Sequence, residues 1–336
     1  MLETGKITQE EYDAGVAMPI ADTLFIGVPK ATCMAANAVG GAGFFCDYVT
    51  KIIATDPIFG EDKASRSQLL LEGGLTITTT LNVGMQVAAN EEVQAGVPVL
   101  DASGVGSAIS VVQPGTGQVL AMAQNRVYNN TSTVGPGETS VNFNTDNKYG
   151  SASGFPPGST FKPFTLLQWF KDGHGLSEMV NGTARMRNEN EFTTCGAPGP
   201  NKPWKLGNSE GGSGVMTVQD ATRRSVNNAY ADMAAQLDLC AIMDGAAEIG
   251  VHRAGGLAGD GRFDPFPANV IGSQSIAPLT MRTRSPRSPR AASTATRSRS
   301  RASSTGPATS CPSPPRTAAR RSTPASPPAM NYALSQ

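Results

Sequence analysis

Two residues of this chain have the types and spacing of a nucleophile with its own base. Ser159 and Lys162 lie three apart, and three residues along a helix place two side chains on one face. A hydroxyl is activated when a neighbouring amine is neutral and accepts its proton, and burial lowers a lysine's pKa. Pro156, Pro157 and Gly158 cannot lie inside a helix and so end a loop. Phe161, Phe164, Leu167 and Phe170 then recur at helical spacing, which puts Ser159 at a helix entry. Taken alone, the pair has a plainer reading as an N-cap serine followed by a solvated lysine.

Ser225 and Asn227 form the second constellation. Thr217 and Asp220 make a capping box that opens a helix. Polar residues from Thr222 to Asn228 interrupt it, and helical spacing resumes over Asp232–Leu239. Ser225 and Asn227 therefore sit at a break between helices, where both side chains can face a cleft; alone, Ser-x-Asn is common and reads as an ordinary helix break. The two histidines, His174 and His252, would serve a Ser-His-Asp triad only if a carboxylate oriented one of them. Nothing nearby in the sequence points to that, so both are read as surface residues.

The positioning elements follow from periodicity. Residues 1–20 read as one helix, with Thr8 and Glu11 as a capping box and Ile7 and Tyr12 as a hydrophobic staple. Residues 21–70 mix loops with a short helical stretch around Phe45–Val49. The alternating β-branched run 73–81 predicts a strand, and Asn82 caps a helix to about Gln94. Apolar runs at 108–112 and 118–122 flank Pro114–Gly117, a β-hairpin whose two faces are both covered. The polar stretch 126–153 predicts a long surface loop of the kind that borders a cleft. A second irregular stretch spans 173–214.

The chain has 336 residues, with 27 basic and 27 acidic side chains. From Arg282 onward there are ten arginines and no Asp, Glu or Lys, which leaves 1–281 with 17 basic against 27 acidic residues. An acidic body is thus joined to a basic tail. No run of about 18 apolar residues occurs, so no membrane span is expected, and no signal-peptide pattern opens the chain. Of five cysteines, Cys33 with Cys46 and Cys195 with Cys240 form two local pairs and Cys311 is odd. The pattern fits disulfides outside the cytoplasm; free buried thiols stay open as the alternative. No Cys-x-x-Cys or histidine cluster points to zinc, and no cofactor is expected.

In combination these pieces resemble a family. The Pro-Gly-Ser-Thr-Phe-Lys run at 157–162, preceded by the Pro-Gly-Thr-Gly hairpin and followed by Arg223-Arg224-Ser225-Val226-Asn227, looks like a penicillin-binding protein transpeptidase domain, whose motif set is Ser-x-x-Lys, a Ser-x-Asn element and Lys-Thr-Gly. Residues 73–82 resemble the linker before the transpeptidase of bifunctional, class A members. Lys6–Tyr12 resembles the last helix of their glycosyltransferase domain, and the cysteines with the Gly/Ala richness resemble an actinobacterial member. The resemblance implies a mixed α/β (α+β), serine β-lactamase/transpeptidase-like fold: an incomplete antiparallel sheet flanked by helices. The implied domains are a glycosyltransferase remnant (1–20), a small linker domain (21–103), a partial transpeptidase domain (104–281) and a disordered basic tail (282–336). It also implies roles. Ser159 would attack the carbonyl of a D-Ala-D-Ala stem peptide and become acylated, and Lys162 would take its proton. Ser225 would pass a proton to the departing D-alanine, and Asn227 would hold Lys162 and the substrate amide. β-Lactams would acylate Ser159 in the same way. The implied setting is the extracytoplasmic face of the cell envelope, with peptidoglycan stem peptides and cell-wall synthesis proteins as partners. Membrane anchoring would come from upstream residues.

The third motif is absent. No Lys-Thr-Gly occurs, the nearest string being Ser304-Thr305-Gly306, and after Met281 the resemblance stops. Residues 282–336 are low in large apolar side chains and cannot offset their ordering entropy. A reading-frame shift near residue 281 accounts for the change; another frame of the DNA should then restore Lys-Thr-Gly within about a hundred codons. The rival is a true basic tail that binds nucleic acid or anionic polymers with strong salt dependence, although no nucleic-acid partner is expected. Three functions are weighed: a transpeptidase with activity impaired by the missing motif, a non-catalytic scaffold fragment, and a D,D-carboxypeptidase or β-lactamase.

Overall fold

The computed structural model describes residues 1–19, 33–72, 74–209, 212–255, 261–281 and 292–297. Helix α1 (Gln9–Ala17) opens on the expected box: the Thr8 hydroxyl accepts from the Glu11 N–H, and the Glu11 carboxylate accepts from the Thr8 N–H at 2.8 Å. It begins at Gln9 rather than at residue 1, and none of its residues is buried.

Helix α2 (Gly43–Thr55) is longer than the stretch expected around Phe45–Val49. Phe44, Phe45, Tyr48, Val49, Ile52 and Ile53 form its buried stripe. That stripe packs with Val119, Met122, Tyr128 and Leu279 in one core. The segment expected as a small linker domain therefore shares its interior with residues beyond 104. Helix α3 (Lys63–Glu72) lies against α2. Strand β1 (Leu75–Thr79) follows, and Asn82 caps α4 (Val83–Gly96) by accepting from the Met85 N–H at 3.0 Å.

Strand β2 (Ala108–Val112) pairs antiparallel with β3 (Val119–Gln124), Ala108 opposite Gln124, with a bulge after Val111. This pair is a sheet of two strands, which is marginal without cover. The cover on β3 comes from the preceding segment. Thr80 Oγ1 donates to Val119 O at 2.7 Å and the Asn82 N–H to Leu120 O at 2.9 Å. Gln86, fully buried on α4, accepts from the Met122 N–H at 2.8 Å and donates to Met122 O at 3.1 Å. One side-chain amide thus supplies both halves of a strand rung, so the buried edge keeps its backbone groups paired.

The polar stretch 126–153 is not a surface loop. It carries β4 (Val127–Tyr128), parallel to β5 (Glu138–Thr139), and the short helix α5 (Asn147–Gly150). Asn142 and Asn144 are both 0% exposed. Asn142 Nδ2 donates to Phe44 O at 3.2 Å, and Asn144 Nδ2 to Ala123 O at 3.1 Å. Composition reads these asparagines as solvated; the structure uses them as internal partners for backbone carbonyls.

A second core joins α6 (Lys162–Lys171), α7 (Val218–Arg223), α8 (Asn227–Ala234) and α9 (Leu239–Glu248). On α6 the buried residues are Lys162, Phe164, Thr165, Gln168 and Trp169, while Phe170 is exposed. Strict three-residue spacing drifts: nine residues at about 100° each bring Phe170 to the side opposite Phe161. The expected helical run Asp232–Leu239 is instead the end of α8, a turn, and the start of α9 with Asp238 as its cap. The irregular stretch 173–214 holds short strands: β6 (Met179–Asn181), β7 (Met186–Asn188), β8 (Thr193–Thr194), β9 (Ala197–Pro198) and β10 (Pro203–Lys205). β7 pairs with β10, β8 with β9, and β6 with β11 (Val215–Thr217).

Cys33 bonds to Cys46 and Cys195 to Cys240. The expectation of a disordered tail meets one exception: β12 (Ala292–Arg297) pairs antiparallel with β1. This run lacks proline and contains threonines, so its backbone can complete a ladder. Cys311, Ser304 and the rest of 282–336 lie outside the described residues. Among the described residues no helix is long and apolar enough to cross a membrane.

Candidate active site

Ser159 sits in a 3₁₀ turn, Gly158–Phe161, which feeds directly into α6. Residues three apart eclipse in such a turn, so Ser159 and Lys162 start from one face. The loop before them is held by close backbone contact. The Gly158 N–H donates to Gly272 O at 3.1 Å, and a Cβ on Gly272 would stand 2.2 Å from Gly158 O. No side chain fits there. Phe161 anchors the turn beneath, edge-on to Phe164 and Phe263 with ring centroids at 4.7 and 5.1 Å.

Lys162 is 3% exposed. Its Nζ donates to Ser225 O at 2.6 Å, to Ser225 Oγ at 3.0 Å and to Asn227 Oδ1 at 2.7 Å. It also lies over the Tyr230 ring, 5.3 Å from the centroid. These partners are neutral. Burial lowers the Lys162 pKa to about 8, because loss of water penalises the charged form. The plainer reading of a solvated lysine is thereby excluded. Ser159 is exposed, and no hydrogen bond joins its hydroxyl to Lys162 among the described residues.

Ser225 is presented by an unusual helix ending. The Val226 N–H donates to Ala221 O at 3.0 Å and the Ser225 N–H to Thr222 O at 3.1 Å, the paired bonds of a Schellman motif. Ser225 itself, the residue just past the helix cap, takes φ of +50°, where glycine is usual. A glycine would have no hydroxyl to place beside Lys162. Asn227, first residue of α8, turns its oxygen to Lys162 and donates Nδ2 to Gly207 O at 2.9 Å.

The structure thus brings Lys162, Ser225 and Asn227 into direct contact, with Ser159 one turn away. Both histidines do have carboxylate partners, contrary to the sequence reading. His174 Nδ1 lies 2.8 Å from Glu178 Oε2, and His252 Nε2 lies 2.9 Å from Asp146 Oδ2. Asp146 lies 106 residues before its histidine, beyond the reach of local inspection. Among the described residues no group of three His, Cys, Asp or Glu side chains could hold a metal ion. Sequence reading also missed Asn208 and Arg187, which bond Asn228, the residue after Asn227; a single sequence carries no mark that separates Asn208 from its loop neighbours.

An exposed serine beside a buried lysine, on a mixed α/β scaffold, is what these elements assemble. Residues 107–261 match the family model of the penicillin binding protein transpeptidase domain, and Ser159, Lys162, Ser225 and Asn227 all fall inside that span. Among solved structures the chain is similar to PonA1, a penicillin-binding protein of Mycobacterium tuberculosis, at 22% identity over 63% of this chain and 49% of that one, with a TM-score of 0.46. PonA1 in complex with penicillin V matches at 22% identity over 70% and 56%, TM-score 0.49. Penicillin-binding protein A of the same organism, as its penicillin G acyl-enzyme complex, matches at 19% identity over 68% and 57%, TM-score 0.44. The chain therefore spans about half the length of these proteins. No curated protein matches it.

Proposed function

We propose that this site forms an acyl-enzyme on Ser159 from D-Ala-D-Ala stem peptides and from β-lactams. Ser159 Oγ attacks the carbonyl carbon and its proton passes to Lys162 Nζ. The peptide C–N bond then breaks, with a proton delivered to the departing D-alanine through Ser225 Oγ. The amine of a second stem peptide attacks the ester, frees Ser159 and completes a cross-link. One observation carries this reading: a buried lysine three residues after an exposed serine, held among the described residues by neutral partners. Ser225 O and Asn227 Oδ1 can only accept hydrogen bonds. A neutral Lys162 amine satisfies both with its two hydrogens and keeps its lone pair for a hydroxyl.

The penicillin complexes of PonA1 and penicillin-binding protein A support the β-lactam arm of this reading, and the family match supports a place in the cell envelope with stem peptides as substrates. A fluorescent penicillin tests it. Covalent label on the wild type, lost in Ser159→Ala, is the expected result. A folded, monodisperse protein that takes no label refutes acylation. It would favour a non-catalytic scaffold, a reading the two-stranded β2–β3 sheet supports because, among the described residues, the outer edge of β2 has no strand partner.

A further inference from the structure

We infer that Asn208 is a positioning residue for the Lys162 site: it caps helix α8 from outside that helix and keeps the Asn227 amide oxygen aimed at Lys162. The inference rests on the reading of Lys162 as proton acceptor for Ser159. Helix α8 starts without a cap of its own, since Val226 at its N-cap has no side-chain oxygen to offer. The first N–H groups of a helix need acceptors from elsewhere. Asn208 Oδ1 accepts from the Asn228 N–H at 2.9 Å and from Asn228 Nδ2 at 3.0 Å. Asn208 Nδ2 donates to Gly182 O at 2.9 Å and Gly212 O at 2.5 Å. These partners settle the amide's orientation: turned over, it would set donor against donor at Asn228 and oxygen against two carbonyls.

The flanking residues repeat the arrangement. Leu206 O accepts from Asn228 Nδ2 at 3.1 Å and Gly207 O from Asn227 Nδ2 at 2.9 Å. Residues 206–208 thus present three successive acceptors to the asparagine pair that opens α8. With its nitrogen committed to Gly207 O, Asn227 must show oxygen to Lys162. Rotated by half a turn, it would put NH₂ against the ammonium and oxygen against the Gly207 carbonyl. Asn228 is fully buried and Arg187 is 2% exposed. Arg187 Nη2 donates to Asn228 O at 3.1 Å and pairs with Asp232 at 3.3 Å, which holds the same turn from its other side.

Asn208→Ala removes the outside cap and frees residues 206–208 to move away from Asn227. Asn227 then ceases to hold the Lys162 ammonium, so the Lys162 titration midpoint falls, by about 0.7 pH unit for one net hydrogen bond. Above pH 9, where Lys162 is neutral in both proteins, the acylation rate with fluorescent penicillin falls about tenfold because the amine is no longer held in place. The midpoint is read directly by ¹³C NMR of lysine-labelled protein, with Lys162→Met to assign the signal. An unchanged midpoint and rate, alongside any loss of thermal stability, would show a merely structural role and overturn the inference. If the alanine variant does not fold, the smaller change Asn208→Ser is read instead, its shorter side chain being unable to span Asn228 and the Gly182 and Gly212 carbonyls together; the same fall in midpoint is expected, and an unchanged midpoint overturns the proposal. Absence of any label on the wild type refutes acylation but leaves the NMR midpoint to decide the role of Asn208.

Discussion

The pH dependence of acylation is the sharpest consequence of burying Lys162. Its pKa falls from 10.5 to about 8 through loss of water. At pH 7 about one molecule in ten then carries the neutral amine, against about one in three thousand for an ordinary lysine. If the neutral amine takes the Ser159 proton, the labelling rate with fluorescent penicillin rises about tenfold per pH unit below pH 7, bends near pH 8, and is level above pH 9. Stability carries the same signature. Below pH 8 folded and unfolded chains both hold the proton, and the fold bears the whole cost of burying it. Between pH 8 and 10.5 the folded chain releases the proton that the unfolded chain keeps, so stability rises with pH, by about 1.4 kcal/mol per unit and about 3 kcal/mol in all. The Lys162→Met variant lacks this gain, so the wild-type minus variant stability, from urea melts at pH 7, 8, 9 and 10, should climb through that window. A flat difference curve, or a labelling rate that keeps rising past pH 10, would refute a depressed lysine as the base. Labelling of Lys162→Met at the wild-type rate would refute its role altogether.

Ser225→Gly should separate stability from function: glycine suits the +50° φ, so the variant should gain about 1 kcal/mol in denaturant melts while acylation drops by about 10² without the hydroxyl. A variant that is less stable, or labels normally, contradicts the role given to that helix ending. The two disulfides should differ in weight: they close loops of 45 and 13 residues, so chain entropy predicts that Cys195→Ser with Cys240→Ser costs about 4 kcal/mol and Cys33→Ser with Cys46→Ser about 3 kcal/mol. Equilibrium unfolding of the two double variants measures this, and a reversed order would show that native-state contacts outweigh loop closure.

What the sequence determined by itself was whatever a few neighbouring residues settle among themselves. The Thr8–Glu11 box, the Asn82 and Thr217 caps, the hairpin around Pro114–Gly117 and the helix entry after Pro157–Gly158 all close hydrogen bonds or φ limits within about five residues. The spacing of Ser159 and Lys162, and of Ser225 and Asn227, is likewise local, which is why the candidate chemistry was legible before any coordinates. Tertiary structure decided everything that depends on a partner far along the chain. Lys162 meets Ser225 and Asn227 across 63 and 65 residues, and only that meeting removes its water and lowers its pKa. Asn142, Asn144 and Gln86 look like surface residues until a distant carbonyl takes each amide into the interior. Asn208 gains its place because Val226 leaves a helix start uncapped 18 residues later. Polar side chains have no fixed address in a sequence: a hydrogen bond stabilises burial as well as water does, and only the fold supplies the other half of the bond.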